Sequence, residues 1–239
     1  MHGNEPGLIL LPNLLSTEAS YREGFVEMIR PEVVKLSGLF IESQKGGRKF
    51  MSLFKEPSLN KATLSYLNEH TSKDELDFLL EPIEQGQKWG LISDCGLPNL
   101  ADPGANLVMR ARRKGIKVSA IGAVCSVTAA LMLSGLPGQC FTFHGYLPKE
   151  EADRKRLLVK LERISRDTGQ TQVFIETPYR NAAMMESAMQ VLGSHTYFSV
   201  VADISAPTEE VVTLRMVEWK HQKLDLEKRP AVFLINAAR

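Results

Sequence analysis

The residues that invite a chemical reading lie in two loops built of small side chains. The first, Ser93-Asp-Cys-Gly-Leu-Pro-Asn-Leu-Ala-Asp-Pro-Gly104, follows an apolar run; the second, Gly122-Ala-Val-Cys-Ser126, follows another. Each run reads as a strand, and each loop leads into a helix. In α/β proteins such loops line a ligand crevice at the carboxyl edge of a parallel sheet. Small residues let backbone N–H and C=O groups approach a ligand closely. Committed acids and bases are few, and a reaction whose reactivity resides in a cofactor needs little more. The chain has no G-x-G-x-x-G after a strand, no G-x-x-x-x-G-K-[ST], no H-E-x-x-H and no G-x-S-x-G. These gaps argue against a dinucleotide dehydrogenase, a P-loop enzyme and an α/β-hydrolase.

The elements that must position these loops can be read in order. Leu8-Ile-Leu-Leu11, closed by Pro12-Asn13, reads as a buried first strand. Residues 16–35 read as helical, with Pro31 ending one helix or starting another. Leu39-Phe-Ile41 is a second strand that delivers Glu42 and Ser43 to its end, and Gln44-Lys-Gly-Gly-Arg-Lys49 reads as a flexible basic loop before a short helix. Ser72-Lys-Asp-Glu75 has the capping-box pattern, with Leu76, Leu79, Leu80 and Ile83 on one face behind it. Residues 89–93 form the next strand. Asp102 is expected to cap a helix, with Pro103 its first residue and Gly115 its stop. Residues 116–121 are a strand, and Cys125 or Ser126 opens a helix that Gly135 ends. Alternation of this kind predicts a doubly wound, mostly parallel sheet. After Pro148 the strands crowd together with fewer helices between them. The expectation is therefore two α/β domains, residues 1–121 and 122–239, the second with a mixed sheet.

Bulk properties narrow the field further. A chain of 239 residues suffices for one large domain or two moderate ones. Its 44% hydrophobic and 24% charged content is that of a globular protein, and a net charge of +1 sets up no global field toward nucleic acid or membrane. A local basic patch would still suffice for RNA. Cys95, Cys125 and Cys140 are sparse and lack metal-type spacing, which points to a reducing compartment and no metal site. No apolar run approaches the ~20 residues of a membrane span, and the first residues lack a leader's basic and apolar regions, so a cytoplasmic protein is expected.

Ser93-Asp-Cys-Gly-Leu-Pro98 with Ala101-Asp-Pro-Gly104 resembles the Ser-Asp-Ala-Gly-x-Pro…Asp-Pro-Gly signature of the tetrapyrrole methylase family. The nearest branch is that of small-subunit rRNA (cytidine-2′-O)-methyltransferases. The resemblance continues through Lys114-Gly-Ile-Lys-Val118, Ser134-Gly-Leu-Pro137, Phe143-His-Gly-Tyr-Leu-Pro148 and Phe174-Ile-Glu-Thr-Pro-Tyr-Arg180. It implies two α/β domains with S-adenosylmethionine in a cleft between them, usually in a homodimer, and rRNA or the small ribosomal subunit as partner. Carried onto this chain, the cofactor-binding residues are Leu11, Pro12, Asp94, Gly96, Leu97, Pro98, Leu100, Cys125, Ser126, Glu176, Thr177 and Arg180. Three departures stand out. The first loop is only Pro12-Asn-Leu-Leu15, the family's Pro-Gly-Pro-Cys/Ser has become Gly122-Ala-Val-Cys125, and a Gly-Glu pair near the end is replaced by Arg229-Pro230.

Methyl transfer is an in-line displacement that demands alignment, and a ribose hydroxyl must also lose its proton to a base. Four carboxylates are candidates: Glu42, Asp94, Glu176 and Glu209. Glu42 and Glu209 are taken as the catalytic pair. Each candidate also has a structural role open to it, since Asp94 can cap its loop, Glu42 can pair with Arg48 and Glu176 with Arg180. Cys125 reads as a small residue in the crevice before a nucleophile, and His144 as a structural histidine. The helix from Glu150 to Arg166, with Arg154, Lys155, Arg156, Lys160, Arg163 and Arg166, is either an RNA phosphate footprint or a solvated face balanced by its own acids. Three other functions stay open: methylation of a tetrapyrrole-like small molecule, a degenerate paralogue that binds cofactor or RNA without turnover, and a cysteine hydrolase on a flavodoxin-like scaffold, which would require a histidine beside Cys125.

Overall fold

The computed structural model describes residues 5–16, 18–67 and 71–238. The leader reading at the first four residues lies outside them. The chain divides into two units, Met1–Ala123 and Val124–Arg239.

In the first unit, strands β1 (Gly7–Leu10), β2 (Gly38–Ile41), β3 (Thr63–Tyr66), β4 (Lys88–Leu91) and β5 (Val118–Ala120) form one sheet in the order β3-β2-β4-β1-β5. Every pairing is parallel. Side chains alternate across the sheet as strand geometry requires. Ile9, Leu39 and Ile41 pack with Phe25, Ile29 and Val33 of α1 (Ala19–Val33) and Phe50 of α2 (Gln44–Ser52). Leu8, Phe40, Trp89 and Leu91 face the other way, toward Leu76 and Leu80 of α3 (Lys73–Glu84) and Leu107 of α4 (Ala105–Arg113). Helices on both faces make the doubly wound layer expected from the alternation. The Ser72–Glu75 capping box forms as read.

Three local expectations are corrected. Pro31 neither ends nor starts a helix but lies inside α1. The carbonyl it deprives of a bond belongs to the exposed Glu27, where water can serve it. The basic loop at 44–49 is helical from Gln44, because Ser43 accepts a hydrogen bond from Gly46 N and caps α2. Asp102 does not cap α4; Gly104 takes that position with φ +138°, and the helix opens at Ala105. A Cβ at Gly104 would stand 2.1 Å from Asn99 Oδ1, so the loop closes too tightly there for any other residue.

The second unit carries α5 (Ser126–Ser134), β6 (Phe141–Tyr146), α6 (Glu151–Thr168), β7 (Thr171–Glu176), α7 (Asn181–Val191), β8 (Tyr197–Ala202), β9 (Glu210–Arg215), α8 (Met216–Trp219) and β10 (Ala231–Asn236). Its sheet runs β6-β7-β10-β8-β9. Only β6 and β7 pair in parallel; the rest is antiparallel, a mixed sheet as the crowded strands implied. Val127, Ala130 and Leu131 of α5 cover one face, while Leu158 and Leu161 of α6 and Met184 and Ala188 of α7 cover the other. Gly135 closes α5 in the left-handed conformation, as its position predicts. Among the described residues no helix is long and apolar enough to cross a membrane.

Candidate active site at the carboxyl edge of the first sheet

Four parallel strands of the first unit end side by side and deliver their loops to one edge. After β1, Asn13 is buried and works as a brace. Its Nδ2 donates to Ser93 O at 2.8 Å and to Asp94 O at 3.1 Å, and its backbone N donates to Gly96 O at 2.7 Å. The shortened first loop therefore still fastens the loop after β4. After β2, Ser43 Oγ donates to Asp94, 2.7 Å from Oδ2 and 3.0 Å from Oδ1. Glu42 Oε2 lies 3.4 Å from Asp94 N. A Cβ at Gly46 would sit 1.8 Å from Asp94 Oδ1, so α2 can approach this carboxylate only as glycine.

Freed from the helix end, Asp102 joins this group. Burial and the nearby carboxylates of Glu42 and Asp94 push its pKa up to about 6, against a smaller opposing pull from the Ser93 hydroxyl. Burial, then Asp102 and Asp94, also raise the Cys95 thiol, with Lys49 opposing. Cys95 thus stays protonated and its Sγ donates to Leu14 O at 3.3 Å. Asp102 further lines a cavity of about 240 Å³ with Pro103, Gly104, Asn106 and Thr71. The loop leading to it holds Asn99 at φ 72° and Ala101 at φ 65°. Non-glycine residues reach that region at an energetic cost, and functional loops often bear it. Asn99 Oδ1 is buried without a hydrogen-bond partner among the described residues.

The expected site residues fall out unevenly. Leu11, Pro12, Asp94, Gly96, Leu97, Pro98 and Leu100 lie on the loops of this edge, and Glu42 stands beside Asp94. Among the described residues Glu42 makes no ion pair with Arg48. In the second unit, Glu176 is committed to structure. Its Oε2 accepts from Arg180 at 2.5 Å and its Oε1 from Thr177 N at 2.7 Å, with the side chain 1% exposed. That leaves it poorly placed as a base. Glu209 is exposed and accepts from Ser205 N at 2.8 Å. Its loop is clamped by Arg229, which donates to Asp203 Oδ2, Glu210 Oε2 and Thr208 O, each at 2.7 Å. The Arg229-Pro230 departure thus has a physical use in this chain. Cys125 precedes α5 as its cap residue, without a side-chain cap bond, and Ser126 is the first helical residue. His144 Nε2 lies 2.7 Å from Gln172 Oε1, a structural contact. Among the described residues no group of three or more His, Cys, Asp or Glu is disposed to hold a metal ion.

Helix α6 balances half of its six cations in internal ion pairs, while Lys160 and Arg163 stay exposed. Arg154 is buried against Ser187 Oγ and Lys149 O. Lys155 pairs with Glu151, Arg156 with Asp153, and Arg166 with Glu162. Sequence reasoning missed Asp102, because Asp-Pro is a common helix-start signal. The one available hint was Gly104, a residue suited to a conformation that others avoid.

This fold and this edge define a class: a two-unit α/β protein whose first sheet gathers small-residue loops and carboxylates at its carboxyl edge. The family model of the Tetrapyrrole (Corrin/Porphyrin) Methylases matches residues 35–218, and the chain belongs to that family. Among relatives, it is 29% identical over 176 residues to Ribosomal RNA small subunit methyltransferase I of Vibrio cholerae, covering 72% of this chain and 60% of that protein. It is 34% identical over 151 residues to the protein of the same name from Thermotoga maritima, covering 63% and 65%. The chain thus spans less than two thirds of these relatives. Diphthine synthase superposes with a TM-score of 0.63 at 16% identity, covering 96% of this chain and 89% of that one, a likeness of fold.

Proposed function

We propose that the protein is an S-adenosylmethionine-dependent methyltransferase acting on small-subunit rRNA at a ribose 2′-hydroxyl. Family membership and the names of the relatives support the chemistry and the RNA. The single observation that carries it is the braced, negatively charged loop edge in the first unit. The residues fit the cofactor: Asp94, Glu42 and Asp102 set up a field that favours a cationic sulfonium. The orphaned Asn99 Oδ1 offers a buried acceptor, and the loop backbone beside Gly96 can be approached closely. The bound cofactor supplies an electrophilic methyl group. Asp94, held by Ser43, fixes the loop after β4; Asn13 locks that loop from beneath; Asp102 accepts the hydroxyl proton. A carboxyl with a pKa near 6 is a better base than an ordinary aspartate and is still largely ionised at neutral pH. Glu42 supports Asp102 through its charge. The same reading makes the protein a cytoplasmic homodimer.

The cofactor is tested by thermal unfolding with S-adenosylmethionine and, separately, S-adenosylhomocysteine. Ligand at about a hundred times its Kd should add roughly 2.7 kcal/mol and raise the midpoint saturably. A folded protein that shows no shift with either compound would overturn the reading. The Gly46→Ala variant sharpens the test. Its Cβ must displace the Asp94 carboxylate and break the Ser43 contacts. Cofactor affinity by calorimetry is expected to fall at least about tenfold, the equivalent of one lost hydrogen bond to a charged group, while the fold persists.

A further inference from the structure

The charge pattern of α2 is one-sided: Lys49 suits the last turn, but Lys45 in the first turn does not. Lys45, Arg48 and Lys49 occupy positions i, i+3 and i+4 and so share one face, while Gly47 and Phe50 turn into the core. All three cations are exposed, and among the described residues none makes an ion pair. Like charges at these spacings repel, and Lys45 lies in the first turn, where the helix dipole disfavours positive charge. No acidic residue occupies that turn. Helix α6 shows the ordinary solution, with acids in its first turn, Arg166 in its last, and its pairs closed internally. A stripe of exposed like charges without ion-pair partners is the pattern of a functional surface.

The stripe extends past the helix. Lys55 follows it, exposed, and with Arg48 and Ser52 lines a groove of about 550 Å³. The acid on that groove, Glu56, is offset by Arg30, 3.9 Å away. Lys61 is exposed beyond it. At its other end the stripe begins two residues after Ser43, which holds Asp94.

We propose that Lys45, Arg48, Lys49 and Lys55 bind the phosphate backbone of the RNA substrate, with α2 as the contact helix and α6 playing no part. This inference rests on the RNA reading above. Phosphates neutralise the stripe and repay its cost to the helix. Because the stripe starts beside the carboxylate edge, an RNA seated on it brings a ribose toward Asp102.

Binding of a fluorescein-labelled RNA hairpin of about twenty nucleotides, followed by anisotropy across a salt series, tests this. Each phosphate contact contributes about 0.7–0.9 to the slope of log K against log salt. The triple variant Lys45→Glu, Arg48→Glu, Lys49→Glu should bind at least about tenfold more weakly at 0.1 M salt, with its slope reduced by about two. The neutral variant Lys45→Gln, Arg48→Gln, Lys49→Gln should fall between it and wild type, and it covers the case in which the reversed stripe fails to fold. The control Lys160→Glu, Arg163→Glu on α6 should match wild type. Unchanged affinity and slope in the α2 variants, or weakening in the α6 control instead, overturns the inference while leaving the methyltransferase reading intact. Wild-type protein that ignores the RNA and binds phosphatidylserine vesicles overturns both the inference and the RNA part of the proposed function.

Discussion

Asp102→Asn is expected to lower methyl transfer at neutral pH by about 10²–10⁴-fold, the usual contribution of a general base. Asparagine keeps the shape and can still meet the Ser93 hydroxyl, but it cannot take a proton. Affinity for S-adenosylhomocysteine, which lacks the sulfonium charge, should change little, which separates this result from that of Gly46→Ala. For wild type, kcat/KM should rise with pH along a limb centred near 6, where the Asp102 carboxyl ionises. The variant should lack that limb. A full-strength rate for Asp102→Asn would transfer the proton-accepting role to Glu42, whose variant Glu42→Gln should then show the same loss.

The same side chain ties the site to stability. Its carboxyl is raised from 3.8 to about 6 on folding, so between those values the folded state keeps a proton that the unfolded state has released. Stability therefore falls as pH rises through that window and levels off above it. A shift of that size at full burial would correspond to about 3 kcal/mol. Asp102 is half-buried, and solvent screening reduces this to about 1–2 kcal/mol. Asp102→Asn should be more stable than wild type by that amount above pH ~7 and lose the advantage below pH ~4. A stabilised but inactive variant is what a strained catalytic residue predicts, and a purely structural aspartate would show the reverse.

The second large effect lies in the core of the first unit. Lys88 Nζ is 2.6 Å from Glu32 Oε2, joining the start of β4 to α1, with side chains only 8% and 6% exposed. Glu32→Ala should cost about 3–5 kcal/mol in urea unfolding, because it strips a buried ammonium of this carboxylate. Burial alone would raise the Glu32 carboxyl, but Lys88 and Lys35 outweigh it and hold the group below its ordinary 4.5. Its contribution is then fully present above about 4.5 and disappears as pH falls through its lower folded value. The double variant Glu32→Met, Lys88→Met should recover much of the loss, since an apolar pair carries no desolvation penalty. A cost below about 1 kcal/mol for Glu32→Ala would show the pair to be solvated.

What could be read from the sequence was what local rules determine. The capping box at Ser72 and the stop at Gly135 are each written in a few neighbouring residues. So was the Glu176–Arg180 pair, four positions apart. The site itself depends on contacts between distant segments. Asp94 meets Ser43 across 51 positions, and Asn13 braces Ser93 across 80. Nothing near Asp102 reveals that it leaves the helix end, because that follows from Gly104 closing against Asn99. The glycines at 46 and 47 read as a loop when in fact Gly46 lets α2 approach Asp94 and Gly47 lets it pack on Ile41. The charge on α6 stays open between two readings in the sequence for a related reason. The sequence shows how many cations α6 carries, but only the folded chain shows that Lys155, Arg156 and Arg166 are paired and Arg154 buried, while the cations of α2 are exposed without ion pairs among the described residues.

The most direct measurement is methyl transfer to RNA. Small ribosomal subunits lacking 2′-O-methylation are incubated with the protein and S-adenosylmethionine labelled with tritium in the methyl group. The recovered rRNA is then hydrolysed in alkali. A methylated 2′-oxygen cannot attack the neighbouring phosphate, so the account predicts label in an uncut dinucleotide, absent with Asp102→Asn. Label confined to mononucleotides would mean a base is the acceptor, and no label in RNA from protein that binds the cofactor would contradict the central claim.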